Sequence, residues 1–241
     1  MHLSLVIPAF DEAQRIGDTL RGVTEYLAQQ SYAAEVVVVD DGSTDATLEI
    51  ARGFKAAARV SVRVVPLSQN CGKGWAVRTG MLDHASGAHR VFYDADASTP
   101  IDELEKLWPR FEAGADIVIG SRSLPGSEVE VRQAWYRETM GRTFNLLLRI
   151  VGLTGFTDTQ CGFKGFTAEA TRLVFGRQTV HRFGFDPELL FIAQKHGLRI
   201  DEVPVRWINS PHSRVNPLLD SGRMLRDMLL IRVKDLLGRY T

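Results

Sequence analysis

The 241 residues carry 29 Lys+Arg against 29 Asp+Glu, so the formal net charge is zero. That balance speaks against a nucleic-acid binder, which needs a basic excess, and 44% hydrophobic with 24% charged residues excludes disorder as the main state. No apolar run reaches the roughly 18 residues of a bilayer span, the opening MHLSLVIPAFDE lacks a basic signal-peptide start, and two cysteines are too few for a disulfide framework, so a cytoplasmic protein with reduced thiols is expected.

Strand-like and helix-like segments alternate through the first half. Leu3–Ala9 is a continuous apolar run, as expected of a strand buried on both faces. Ile16, Leu20, Val23 and Leu27 recur at helical spacing. Glu35–Asp40 is a second, β-branched strand, and Asp45 can cap a helix over Ala46–Ala57. Val60–Leu67 predicts a third strand, followed by a helix from about Lys73 to Ala85. Arg90–Tyr93 and Ala115–Ile119 predict a fourth and a fifth strand, with helix Ile101–Glu112 between them. This rhythm means βαβ units, hence an α/β fold with a mostly parallel sheet flanked by helices. The second half reads as a long helix Trp135–Val151, a Gly/Thr-rich stretch Gly152–Gly165, helices Ala168–Phe175 and Pro187–Lys195, strand Ile200–Trp207 and an amphipathic helix from Pro217. The chain divides into residues 1–120, 121–216 and 217–241 within one compact unit.

Open parallel sheets bind ligands at the carboxyl ends of their strands. After the five strands come Pro8-Ala9-Phe10-Asp11-Glu12, Asp40-Asp41-Gly42-Ser43, Asn70-Cys71-Gly72-Lys73-Gly74, Asp94-Ala95-Asp96 and Gly120-Ser121-Arg122. Carboxylates, a glycine–lysine turn and an arginine therefore converge on one edge. Asp94 and Asp96 can point the same way from a strand end and hold a hard divalent cation, Mg2+ or Mn2+, beside a phosphate. The segment at Asp41 serves equally as a turn and cap or as a carboxylate for a base or ribose. The glycines around Lys73 let backbone approach an anionic ligand at a helix start. They do not form a P-loop, and no G-x-G-x-x-G follows the first strand.

In this order the segments resemble the motifs of family 2 glycosyltransferases with the GT-A fold, a Rossmann-like sheet. Further along, Asp158-Thr159-Gln160-Cys161-Gly162-Phe163-Lys164, Phe185-Asp186-Pro187-Glu188-Leu189-Leu190 and Ser213-Arg214-Val215-Asn216-Pro217 are similar to the dolichyl-phosphate β-glucosyltransferases and their prokaryotic relatives. Dolichyl-phosphate mannose synthases are their sister group. The resemblance implies a nucleotide-diphosphate sugar as donor, UDP-glucose in this group, and a polyprenyl or dolichyl phosphate as acceptor. It assigns base and ribose to Pro8, Phe10, Glu12, Val39 and Asp41, and metal and diphosphate to Asp94 and Asp96. Ser98 stands where the mannose synthases often carry Gln. Arg122, Arg137 and Arg214 match basic positions near the phosphates, and Asp158 and Glu188 acidic ones near the sugar. Lys73 and Ala95 complete the expected nucleotide-sugar set, while Asp96, Asp158, Arg122 and Arg137 form the expected catalytic set.

The implied reaction is an inverting transfer. A phosphate acceptor needs no general base, because its second pKa is about 6 and it is already an anion at neutral pH. Two other readings compete. One is a glycosyltransferase with a soluble phosphate or glycan acceptor. The other is a sugar nucleotidyltransferase, which favours a Gly-rich loop where this chain has Pro8–Glu12. In the last helix Leu225, Met228, Leu229, Val233 and Leu236 mark one apolar side, ringed by Arg223, Arg226, Arg232, Lys234 and Arg239. Such a helix can lie in a membrane interface, at the inner face of the cell membrane, or dock on the body or on a second subunit as a homodimer. The zero net charge also hides a division. Residues 1–120 hold 11 Lys+Arg and 17 Asp+Glu, and residues 121–241 hold 18 and 12.

Overall fold

The computed structural model describes residues 2–57, 59–129, 153–208 and 217–241, the last stretch as backbone alone before residue 226. Strands β1 (Leu3–Ala9), β2 (Ala34–Asp40), β3 (Ser61–Pro66) and β4 (His89–Tyr93) alternate with helices α1 (Ile16–Ala28), α2 (Thr47–Gly53) and α3 (Lys73–Arg78). One π-helical turn, Thr79–His84, continues α3 where Gly80 packs on the sheet; a Cβ there would meet Val6 Cγ1 at 2.3 Å. A 3-10 segment (Ile101–Lys106) and α4 (Trp108–Glu112) lead to β5 (Ile117–Ser121). Then come β6 (Glu128–Val129), β7 (Phe163–Thr167), α5 (Ala168–Arg177), α6 (Phe185–Lys195), β8 (Ile200–Pro204), β9 (Arg206–Trp207) and α7 (Pro217–Leu236).

The main sheet has the order β3-β2-β1-β4-β7-β5-β8. Its pairs are parallel except that β7 runs antiparallel to both β4 and β5. Alternate residues of the apolar strands feed two cores. Leu3, Leu5 and Ile7 pack with Ile16, Leu20, Val23 and Leu27 of α1 on one face, and Val6, Val37 and Val39 pack with α3 and α6 on the other.

Four expectations are corrected by the structure. The helix over 101–112 is two pieces, because Pro109 brings no N–H and sits in the first turn of α4. The glycine-rich stretch conceals β7. The strand over 200–207 is broken after Pro204. Val205 N donates to Ser121 O at 3.1 Å, and β9 then leaves the main sheet to pair with β6. Finally, the apolar residues of α7 do not share one side. Met228 and Ile231 are buried against the body with Tyr240, while Leu229, Val233, Leu236 and Leu237 are exposed, the last pair 83% and 72%. Steps of three and four residues divide the helix into an inner and an outer apolar stripe. Lys234 also turns inward, donating to Thr179 Oγ1 at 2.6 Å. The helix expected over 135–151, with Arg137, Arg142 and Arg149, and the motif carrying Arg214 lie outside the described residues.

Candidate active site

Parallel strands deliver their carboxyl ends to one edge of the sheet, and β7, running the other way, begins there with Phe163 opposite Tyr93. The segment before β7 therefore meets the segment after β4. A cleft of about 360 Å³ opens at this edge. Pro8, Phe10, Glu12, Asp41, Lys73, Asp94, Ala95 and Asp96 line it, together with Arg15, Asn70, Gly72, Arg182 and Phe183.

Asp94 and Asp96 sit on a tight turn in which Ala97 N donates to Asp94 O at 3.1 Å. Ala97 takes φ 51°, a left-handed conformation that costs a residue with a Cβ about 1 kcal/mol. Asp96 Oδ1 accepts the Ser98 N–H at 3.0 Å. Ser98 Oγ, next along the turn, is buried without a hydrogen-bond partner. Asp94 Oδ1 lies 2.6 Å from Lys73 Nζ. Its other oxygen is sheltered by Gly162, where a Cβ would stand only 1.8 Å away, so the glycine is obligatory. A small hard cation keeps water and phosphate oxygens among its ligands, and a pair of carboxylates on one turn fits it. Among the described residues no third His, Cys, Asp or Glu joins them.

A buried ion network stands behind this pair. Lys164 of β7, fully buried, reaches Asp186 Oδ1 at 2.5 Å and donates to Cys161 O at 2.6 Å. Burial pushes the Asp186 carboxyl up, with Lys164 and Lys73 pulling against it. Burial pulls the Lys73 ammonium down, but Asp94, Asp186 and Asp96 outweigh it and hold the ammonium above its ordinary value. Burial also lifts the Cys161 thiol to about 11, so it is a packed, unreactive group.

Asp41 is buried and fully used by the glycine–lysine turn. It accepts from Cys71 N and Gly72 N, both at 2.8 Å, and from Asn70 Nδ2 at 3.0 Å. Burial, the largest influence, raises its pKa despite these bonds. It shapes the loop that holds Lys73 at the cleft. Arg122, at the end of β5, grips Asp158 through Nε–Oδ2 at 2.6 Å and Nη2–Oδ1 at 2.9 Å, and its guanidinium sits 5.6 Å from the Trp207 ring centre. Burial alone would raise the Asp158 pKa, but the Arg122 charge and hydrogen bonds hold it down at about 2. Such a carboxylate orients an arginine and is a poor base.

Four expected residues among those described do not line the cleft: Arg122 and Asp158, paired with each other beyond the end of β5, and Val39 and Glu188. Val39 is fully buried beneath Gly80 rather than lining the cleft. Glu188 is also fully buried, its oxygens taken by the 179–180 turn and by Tyr240. Conversely, Arg15, Arg182 and Phe183 line the cleft although no sequence motif marked them. The Lys164–Asp186 pair was visible only as letters of two motifs lying far apart in the chain.

The model of the family described as "Glycosyl transferase family 2" matches residues 4–175. The dolichyl-phosphate beta-glucosyltransferase of Drosophila melanogaster is 36% identical over 252 residues, covering 100% of this chain and 77% of that protein. The Homo sapiens enzyme of the same name is 34% identical over 255 residues, covering 99% and 77%. Among solved structures, glucosyl-3-phosphoglycerate synthase from Mycobacterium tuberculosis with Mn2+, UDP-glucose and phosphoglyceric acid superposes with a TM-score of 0.69. That match covers 99% of this chain and 79% of the other at 21% identity, a likeness of fold.

Proposed function

Because the chain belongs to glycosyl transferase family 2, and so is a glycosyltransferase, we propose that it moves glucose from UDP-glucose to a polyprenyl phosphate with inversion at the anomeric carbon. One observation carries this most directly. Asp94 and Asp96 share a cleft with Lys73 and the Asp41-anchored turn, on the sheet edge where a nucleotide diphosphate would lie. The names of the most similar curated relatives favour the dolichyl-phosphate acceptor and the glucosyl group.

Asp94 and Asp96 would hold Mg2+ or Mn2+, which when bound supplies neutralising charge to the leaving diphosphate. Lys73 holds Asp94 in place at 2.6 Å and adds positive charge beside the phosphates. Pro8, Phe10 and Glu12 form the wall for the base and ribose. The acceptor phosphate oxygen attacks the anomeric carbon opposite the leaving group, turning an α-linked donor into a β-linked product. Arg122, fixed by Asp158, keeps its Nη1 outside that fork for the acceptor phosphate. Arg137 and Arg214 are assigned to the same anions by the family motif. No residue need act as a base, since the attacking phosphate is already ionised.

The acceptor is a lipid, so the enzyme would work at a membrane surface on the cytoplasmic side. Among the described residues no helix is long and apolar enough to cross a membrane. The exposed stripe of α7 with Arg226, Arg232 and Arg239 supports interfacial seating. The test is to incubate the protein and Mg2+ with a panel of nucleotide sugars and a short polyprenyl phosphate. Glycolipid should form from UDP-glucose. Asp96→Asn should abolish transfer, and full activity in that variant would refute the assignment of the metal site.

A further inference from the structure

We propose that Arg182 binds a phosphate of the donor nucleotide and that Glu188 is the positioning residue that aims it, an inference resting on the donor cleft described above. Among the described residues, three other cations at this edge are each held in an ion pair. Arg15 reaches Glu12 at 2.5 Å, Lys73 reaches Asp94 at 2.6 Å and Arg122 reaches Asp158 at 2.6 Å. Arg182 lines the cleft and is exposed, and among the described residues its guanidinium makes no hydrogen bond or close ion pair, the buried Asp41 carboxylate feeling it only as a charge at a distance. A guanidinium with no carboxylate in direct contact, on the wall of a cleft suited to an anionic ligand, is available for charge-assisted bonds to phosphate oxygens.

Its placement is built from both sides. On one side the stem rests on the glycine–lysine turn. A Cβ at Gly72 would lie 2.8 Å from Arg182 Cγ and 2.5 Å from His181 O. Trp75 N donates to that same carbonyl at 3.0 Å. On the other side the preceding turn is held by a fully buried carboxylate. Glu188 accepts from Thr179 N at 2.9 Å, Val180 N at 2.8 Å, Thr179 Oγ1 at 2.5 Å and Tyr240 OH at 2.6 Å. Gln178 Nε2 adds bonds to Val180 O at 2.8 Å and Gly74 O at 2.9 Å. The turn that ends in Arg182 is thereby pinned to α6, to the Lys73 loop and, through Tyr240, to the segment after α7. Glutamine at 188 would bring an NH2 donor to face donors, freeing the turn without removing bulk.

The test measures binding of UDP, UMP and uridine to the full chain with Mg2+ by ligand-observed NMR and calorimetry. Arg182→Ala should weaken UDP about tenfold or more and leave uridine unchanged, with Arg182→Lys recovering part of the loss. Glu188→Gln and Tyr240→Phe should each weaken UDP about threefold, again sparing uridine. Unchanged UDP affinity in Arg182→Ala, or an equal loss for uridine, overturns the assignment. A fall in melting temperature with an unaltered UDP-to-uridine ratio in both Glu188→Gln and Tyr240→Phe overturns the positioning role. If Glu188→Gln does not fold, Tyr240→Phe, which keeps both backbone bonds to Glu188, decides. Wild-type protein that binds none of the three ligands overturns the donor cleft itself, an outcome distinct from the variant results.

Discussion

Asp158 is ionised far below the ordinary carboxylate range, and its pairing with Arg122 has a thermodynamic sign. The folded value of about 2 lies under the ordinary aspartate value, so the native state releases the proton more readily than the unfolded chain. The stabilisation is complete above about pH 4 and drains away as the pH falls toward 2, amounting to about 2 kcal/mol. Wild type should therefore exceed Asp158→Asn in urea midpoint at pH 7, with the gap closing between about pH 4 and pH 2. A gap independent of pH would contradict the ion pair as its source. At this scale the sequence marks positions better than directions. Asp41, Asp94 and Asp96 were legible because each follows an apolar strand. Val39 shares β2 with Asp40 and Asp41 follows, yet Val39 faces the core beneath Gly80, an orientation a motif match does not carry. Arg182 and Phe183 sit in an irregular turn with no period to betray them.

Among elements, β1, β2 and β5 were legible because strands buried on both faces read as apolar runs. The strand β7 was not, because Phe163-Lys164-Gly165-Phe166-Thr167 puts a lysine in its middle. Only the partner Asp186, supplied by a helix that follows, makes that lysine tolerable in the core. The helix α7 was legible in its extent and not in its faces, since an inner stripe that docks and an outer stripe that does not merge into one hydrophobic pattern. The outer stripe carries its own prediction. The protein should sediment with anionic liposomes, less so as salt rises, because the flanking arginines are screened. Replacing Leu229, Val233 and Leu236 with Glu should abolish sedimentation while leaving the inner stripe, and hence the melting temperature, nearly unchanged. If binding persists, α7 is not the seat. If instead light scattering shows that the triple variant halves the molar mass, the stripe joins two copies.

Over the whole molecule, the acidic and basic halves are woven together rather than apposed. The strands β7 and β8 from the basic half complete the sheet begun by the acidic half, and the Lys164–Asp186 pair lies within that seam. Removing one partner strands a buried charge, so Lys164→Met should cost about 3–5 kcal/mol of unfolding free energy. The double variant Lys164→Met/Asp186→Leu should recover much of that loss in denaturant titrations. A single variant as stable as wild type would show that the pair is not buried in solution.

The reversed run of β7 also sets an order of events. As the chain leaves the ribosome, β1 to β4 can pair while β7 is still unmade. Until it arrives, β4 has an open edge and Asp94 lacks the roof that Gly162 provides. Nascent chains stalled in that interval expose a row of unpaired amides and carbonyls to one another. Errors of synthesis there should favour aggregates over weakened enzyme, because β4 keeps an unpaired side until β7 fills the gap between it and β5.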